Sequence, residues 1–194
     1  MASELNINIE RTAIVVIDLQ KGIAAIPSEP YSSKIVIENT VKMLKEFRKN
    51  NMPVFLVHVT PSPDMKDFLR PVSETSFNMS NFDPSWSEYV PELNIQPTDF
   101  LITKHQWGAF YGTELDLQLR RRKIDTIVLC GISTNIGVES TARFAYEYGF
   151  NQIFVEDAMA ARSKDEHNLS VKYIFPRLGL IRKTDDIINS LNKK

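Results

Sequence analysis

The chain has 194 residues, 43% of them hydrophobic and 24% charged, with a formal net charge of −1. That length suits one domain with a substantial core, and the composition excludes a disordered chain. The near-zero charge gives no general attraction to nucleic acid or to an anionic membrane. No apolar run approaches the roughly 18 residues that a bilayer span needs.

The N-terminal stretch MASELNINIERT has acidic residues and no apolar centre, so it does not read as a secretory signal. A single cysteine permits no internal disulfide, which together with the N-terminus fits a cytoplasmic protein. The three histidines are scattered, and no His/Asp/Glu group has zinc-ligand spacing, so neither metal nor cofactor is expected.

In chain order, AIVVID (Ala13 to Asp18) is a continuous apolar run of the kind buried on both faces of a parallel sheet. From Lys34 to Lys49 apolar residues recur at Ile37, Val41, Leu44 and Phe47, one stripe of a helix, with Ser33 as its expected N-cap. PVFLVHV (Pro53 to Val59) reads as a second buried strand. Thr60 to Thr98 holds six of the ten prolines and little periodicity, and because it follows a strand end on the ligand-binding side it reads as a lid or a subunit contact, or else as a passive insertion.

FLIT (Phe100 to Thr103) reads as a third buried strand. Thr113 and Asp116 resemble a capping box before a helix carrying Leu115 and Leu119, and RRRK (Arg120 to Lys123) suits that helix's C-terminus. TIVLC (Thr126 to Cys130) is a strand, Val138 to Tyr148 a helix with Gly149 just past its end, and QIFVE (Gln152 to Glu156) another strand. Ser163 with Glu166 opens a further helix, LGLIRK ends a last strand near Lys183, and TDDIINSLNKK forms a final helix.

Strand and helix alternate throughout, which implies one domain with a parallel sheet and helices on both faces. Ligands of such sheets bind beyond the carboxyl ends of the strands. Asp18 and Lys104 both fall at such ends. A carboxylate after an apolar run needs a partner or a shifted pKa, so Asp18 reads as a general acid or base, or else as a cap on a nearby loop. Lys104 reads as an ion-pair partner for Asp18, or else as a solvated lysine. Trp107 and Phe110, with Tyr111, are candidate walls of an apolar pocket.

The turn from Gly131 to Gly137 presents backbone N–H groups at a helix start, where an anion or oxyanion binds, with Ser133 and Thr134 in it. A side chain at position 137 would be well placed for nucleophilic attack, and there is none. Cys130 lies in the strand with no activating neighbour in sequence and reads as a small core residue. His58, inside an apolar strand, reads as a satisfied core histidine.

Three pieces in this order, AIVVIDLQKG, ITKHQWGAF and VLCGISTNIGVESTARFAYEYGF, followed by VEDAMAARS, resemble the isochorismatase-like hydrolases, or cysteine hydrolase superfamily. The resemblance runs from Thr12 to about Arg182. It implies a three-layer α/β/α sandwich with a six-stranded parallel sheet of order 3-2-1-4-5-6, and a homo-oligomer, dimer or tetramer. By position, Asp18 matches the family aspartate and Lys104 the family lysine. A non-proline cis peptide is implied between Ile132 and Ser133.

In amidase members a cysteine follows a Thr-x-x pattern, here Thr134, Asn135, Ile136, and its position is Gly137. Isochorismatases are similar to this chain in having glycine there. The metal-site residues of nicotinamidases are absent after the second strand. The resemblance therefore implies hydrolysis of a small, anionic substrate without a covalent intermediate, an isochorismate-like vinyl ether, with Asp18 as acid and Lys104 orienting it or binding a substrate carboxylate. Ser133, Thr134 and Gly137 would contact the substrate. Two alternatives stay open: an amidase-like hydrolase using Ser133, Thr134 or Cys130 as nucleophile, and a ligand-binding protein on the same scaffold.

Overall fold

The computed structural model describes residues 5–69, 71–75 and 83–192. Six parallel strands lie in the order β3-β2-β1-β4-β5-β6. They are β1 (Thr12–Ile17), β2 (Val54–Val59), β3 (Phe100–Lys104), β4 (Thr126–Ile132), β5 (Asn151–Ala160) and β6 (Leu180–Arg182). Every residue of β1 is buried, as its apolar run requires. Each Val or Ile sealed in this way contributes about 1.5–3 kcal/mol relative to exposure.

Helices cover both faces. On one, α2 (Ser33–Lys49) packs with α7 (Thr184–Asn192); on the other, α4 (Glu139–Glu147) packs with α6 (Phe175–Leu178). The short helices α1 (Lys21–Ala24), α3 (Leu115–Arg121) and α5 (Lys164–Leu169) complete the set. The last two residues of the expected C-terminal helix lie outside the described residues.

Several local readings need correction. The N-cap of α2 is Ser32, not Ser33: its hydroxyl accepts from the Ile35 N–H. Thr113 does not form a capping box, because its hydroxyl takes the Leu115 N–H instead. Strand β3 is not buried on both faces. It is an edge strand with Leu101 and Thr103 exposed. Strand β5 runs four residues past Glu156, with a shift in its pairing to β4 between Leu129 and Gly131. Ser163 and Glu166 do form a capping box, and Gly149 ends α4 at φ +78°.

Two features place the site. The chain winds from β1 outward to β3, then crosses back to start β4 on the other side of β1. The ends of β1 and β4 therefore flank the switch point, where a crevice opens in such sheets. There the strands approach so closely that a Cβ on Gly131, at φ +122°, would sit 2.0 Å from the Ile17 carbonyl oxygen. Only glycine tolerates both the conformation and the contact.

Among the described residues no helix is long and apolar enough to cross a membrane. Of the long Thr60–Thr98 segment, residues 70 and 76–82 lie outside the described residues. Its return path is a fixed wall. Two 3₁₀ turns, Pro84–Ser87 and Pro91–Leu93, run past the end of β1, where the Val90 N–H donates to Leu19 O and the Lys21 N–H to Glu88 O.

Candidate active site

Asp18 is the first residue beyond β1. Its N–H still bonds to Val57 O at 2.9 Å, but its φ is +53°, so the chain turns sharply out of the sheet. Non-glycine residues rarely adopt this left-handed conformation, and such positions cluster at functional sites. The residue is 4% exposed. One carboxylate oxygen, Oδ2, accepts from Lys104 Nζ at 2.8 Å; the other, Oδ1, is buried with no hydrogen-bond partner. Burial pushes the carboxyl pKa up, against the opposing pull of the Lys104 ammonium and, more weakly, of His58.

Lys104 ends β3, and its side chain reaches past the end of β2 to Asp18. It is 1% exposed. Its ammonium also donates to Trp107 O at 2.7 Å and Gln106 O at 3.2 Å, which occupies all three donors. The solvated-lysine reading is thereby excluded. The geometry makes Lys104 a fixed clamp on Asp18.

The third part is the turn after β4. The Ile132–Ser133 peptide is cis. One π-helical turn, Thr134–Val138, leads into α4, and Ser133 O accepts from both the Ile136 and Val138 N–H groups at 3.2 Å. A Cβ on Gly137 would stand 2.9 Å from Asp18 Oδ2 and 3.5 Å from Lys104 Nζ. Position 137 thus lies directly on the ion pair, in a gap too tight for a Cβ unless a neighbour shifts. Thr134 is fully buried and turns its hydroxyl to His167 Nδ1 at 2.9 Å.

The aromatic candidates separate. Trp107 is 65% exposed, and what it brings to the site is its carbonyl on Lys104. Phe110 is not an open pocket wall: it stacks on Phe150 and meets Tyr148 edge-on in the core beside α4. Cys130 is buried, takes a hydrogen bond from the Thr40 hydroxyl on α2, and has its thiol pKa pushed up to about 12 by burial. Such a thiol is not a nucleophile at neutral pH. His58 has both ring nitrogens engaged, with Ser87 O and the Thr103 hydroxyl.

Sequence reasoning missed two residues. Gln20 is fully buried, and its amide joins the Val59 backbone to Trp86 O, so it holds the returning wall beside Asp18. Thr141 links the segment after Lys104 to the turn: its hydroxyl donates to Gly137 O at 2.7 Å and accepts the Ala109 N–H. The one sequence signal for Gln20 was a second polar residue just after Asp18 at the close of an apolar run. Among the described residues no group of three His, Cys, Asp or Glu side chains could hold a metal ion.

The chain is thus a parallel α/β protein with a buried aspartate–lysine pair at the switch point of its sheet, facing a helix-initiating turn. The chain belongs to the isochorismatase family: the family's Isochorismatase domain model matches residues 12–186. It is 47% identical to the isochorismatase family protein YwoC of Bacillus subtilis (strain 168), over 98% of this chain and 100% of that one. It is 26% identical to a probable isochorismatase of Pseudomonas chlororaphis, over 96% of this chain and 89% of that one. Among solved structures, an isochorismatase family protein from Burkholderia thailandensis superposes with a TM-score of 0.94 at 43% identity, covering 98% of this chain and 100% of that one.

Proposed function

We propose that the protein is a cytoplasmic hydrolase that cleaves the vinyl ether of a small anionic substrate, isochorismate or a close analogue, by acid–base chemistry at Asp18 and without a covalent intermediate. The carrying observation is the division of labour on the Asp18 carboxyl. Oδ2 is held by Lys104 and faces Gly137, while Oδ1 is buried and takes no hydrogen bond. Desolvation raises the carboxyl pKa and so favours the protonated form that a general acid needs. The relative named a probable isochorismatase adds support.

In the reaction, Asp18 gives its proton to the terminal carbon of the enol ether, and the adjacent carbon becomes an oxygen-stabilised cation. Water adds to that carbon and returns a proton to the Asp18 carboxylate. The hemiketal then collapses: the ether C–O bond breaks, the alcohol leaves and pyruvate forms. Lys104 steadies the carboxylate that appears after the first transfer, because its ammonium is already in place and needs no reorganisation. With all three of its donors engaged, it supports the orienting role better than capture of a substrate carboxylate.

The test is turnover of isochorismate by the purified protein, with pyruvate as readout, beside Asp18→Asn. Pyruvate production that survives Asp18→Asn removes Asp18 from the chemistry. Absence of any production by the wild type removes the substrate.

Thr134 beside His167 has the look of a hydroxyl nucleophile with its base, as in acyl-transfer enzymes. Both residues are sealed from solvent, however, so this pair does not favour an amidase route. An acyl adduct in an intact mass spectrum would reverse that judgement.

A further inference from the structure

We propose that His167 is a positioning residue for the site: by holding the Thr134 hydroxyl it sets the Ser133–Gly137 turn against Asp18. This rests on the reading of the Asp18 carboxyl, where it faces Gly137, as the reacting group.

Three observations carry it. First, among the described residues two side chains from outside the turn bond to it, Thr141 on Gly137 O and His167 on the Thr134 hydroxyl. Its N–H groups at Ile136 and Val138 both fold back onto Ser133 O, Gly137 has no side chain, and Asn135 Oδ1 is buried without a partner. Thr134, fully buried, sends its hydroxyl out of the turn to His167 Nδ1 on α5 at 2.9 Å. Second, the same helical stretch grips the next turn of chain as well, where the Ser170 hydroxyl donates to Glu139 Oε2 at the start of α4. The turn and the helix it opens are thus tied at two points to one support.

Third, His167 is a poor choice for packing alone. It is fully buried, lies edge-on to Tyr31, and leaves Nε2 without a partner. Either tautomer that serves Thr134 leaves the far nitrogen unpaired in the interior, which costs free energy that an apolar residue of similar size would avoid. The imidazole is retained at a position where its one engaged atom touches the turn. A displacement of the turn by even a fraction of an ångström changes the surroundings of the Asp18 carboxyl, because the backbone is so near that a Cβ at position 137 would stand 2.9 Å from Oδ2.

The experiment compares His167→Leu, Thr134→Val and His167→Asn with the wild type. The asparagine side chain places a polar atom near the place of Nδ1. Hydrogen exchange of the Asn135–Gly137 amides is followed together with isochorismate turnover. His167→Leu and Thr134→Val are expected to raise exchange in the turn by about tenfold while leaving the β1 and β4 amides unchanged. They are expected to lower kcat by about tenfold to a hundredfold with little change in KM, and His167→Asn to restore most of both. Wild-type exchange in the turn of His167→Leu overturns the proposal. So does a rise that is equal across β1, β4 and the turn, which would mark a residue that supports stability only. If the wild type turns over no isochorismate, the functional reading fails by itself, and the exchange measurement still decides the role of His167.

Discussion

Asp18 and Lys104, 86 positions apart in the chain, meet at 2.8 Å in the interior, and the lysine spends its two remaining donors on the carbonyls of Gln106 and Trp107. The pair is therefore asymmetric. The ammonium is fully satisfied, whereas the carboxyl keeps one oxygen in reserve. Removing either partner has different consequences.

Lys104→Met removes the cation that draws the Asp18 pKa down, so the buried carboxyl either takes up a proton or stays as an unpaired charge, and stability is expected to fall by up to about 3–5 kcal/mol, most at high pH. Adding Asp18→Asn to it should recover much of that loss. Asp18→Asn alone should retain the fold and lose about 10²- to 10⁴-fold in turnover. Urea unfolding of the two single variants and the double variant, beside the pyruvate assay, measures both effects. Equal stability of Lys104→Met and wild type would show that the pair is not sealed as described.

The pH dependence follows from the raised Asp18 pKa. The folded state holds the Asp18 proton more tightly than the unfolded chain does. The stability this contributes is fully present below the unfolded aspartate value and is lost as pH rises through the folded one. A general acid must also be protonated. So kcat/KM is expected to fall as pH rises through the folded pKa, and wild type should lose stability relative to Asp18→Asn over the same interval. A rate that climbs across that interval would argue that the carboxylate, not the acid, is the working form.

At Gly137 a single methyl group decides the outcome. A Cβ there would meet Asp18 Oδ2 and Ile17 Cγ2, both at 2.9 Å. Gly137→Ala is expected to cost about 1–3 kcal/mol as overpacking, and to reduce turnover strongly by displacing the Asp18 carboxyl from Lys104. Thermal melting and steady-state kinetics on the same preparation separate these effects. Full activity in Gly137→Ala would place the substrate elsewhere.

Cys130 should behave as a core residue. With its thiol pKa raised to about 12 and its sulfur buried against Thr40, it is expected to resist iodoacetamide in the native protein and to react on unfolding. Cys130→Ala should leave turnover unchanged and cost on the order of 1 kcal/mol. Loss of activity on alkylation of folded protein would reinstate the thiol as a nucleophile.

Much of the fold was legible because burial writes itself into local pattern. The uninterrupted apolar run of β1 and the helical stripe of Ile37, Leu44 and Phe47 in α2 each correspond to an observed element and to its buried face. Errors arose where a neighbour overrode the local signal. Strand β5 continues through Glu156 and Asp157 because β4 goes on pairing with it as far as Ile132. The apolar run of β3 lies at the sheet edge, a fact that no local pattern contains. Phe110 and Trp107, three residues apart, had the same appearance in sequence; contact with Phe150 buries one, and the other stays in solvent.

The sequence by itself determined the alternation of strands and helices, the two polar residues at strand ends, and the missing side chain at position 137. Those properties reside in residue type and short-range periodicity. Only the tertiary structure decided that Lys104 reaches past β2 to Asp18, that Gly137 packs onto their ion pair, and that Thr134 is held by a histidine from α5. Each of these depends on strand order and register, which bring distant positions within 3 Å or so of one another. No local pattern encodes such a distance.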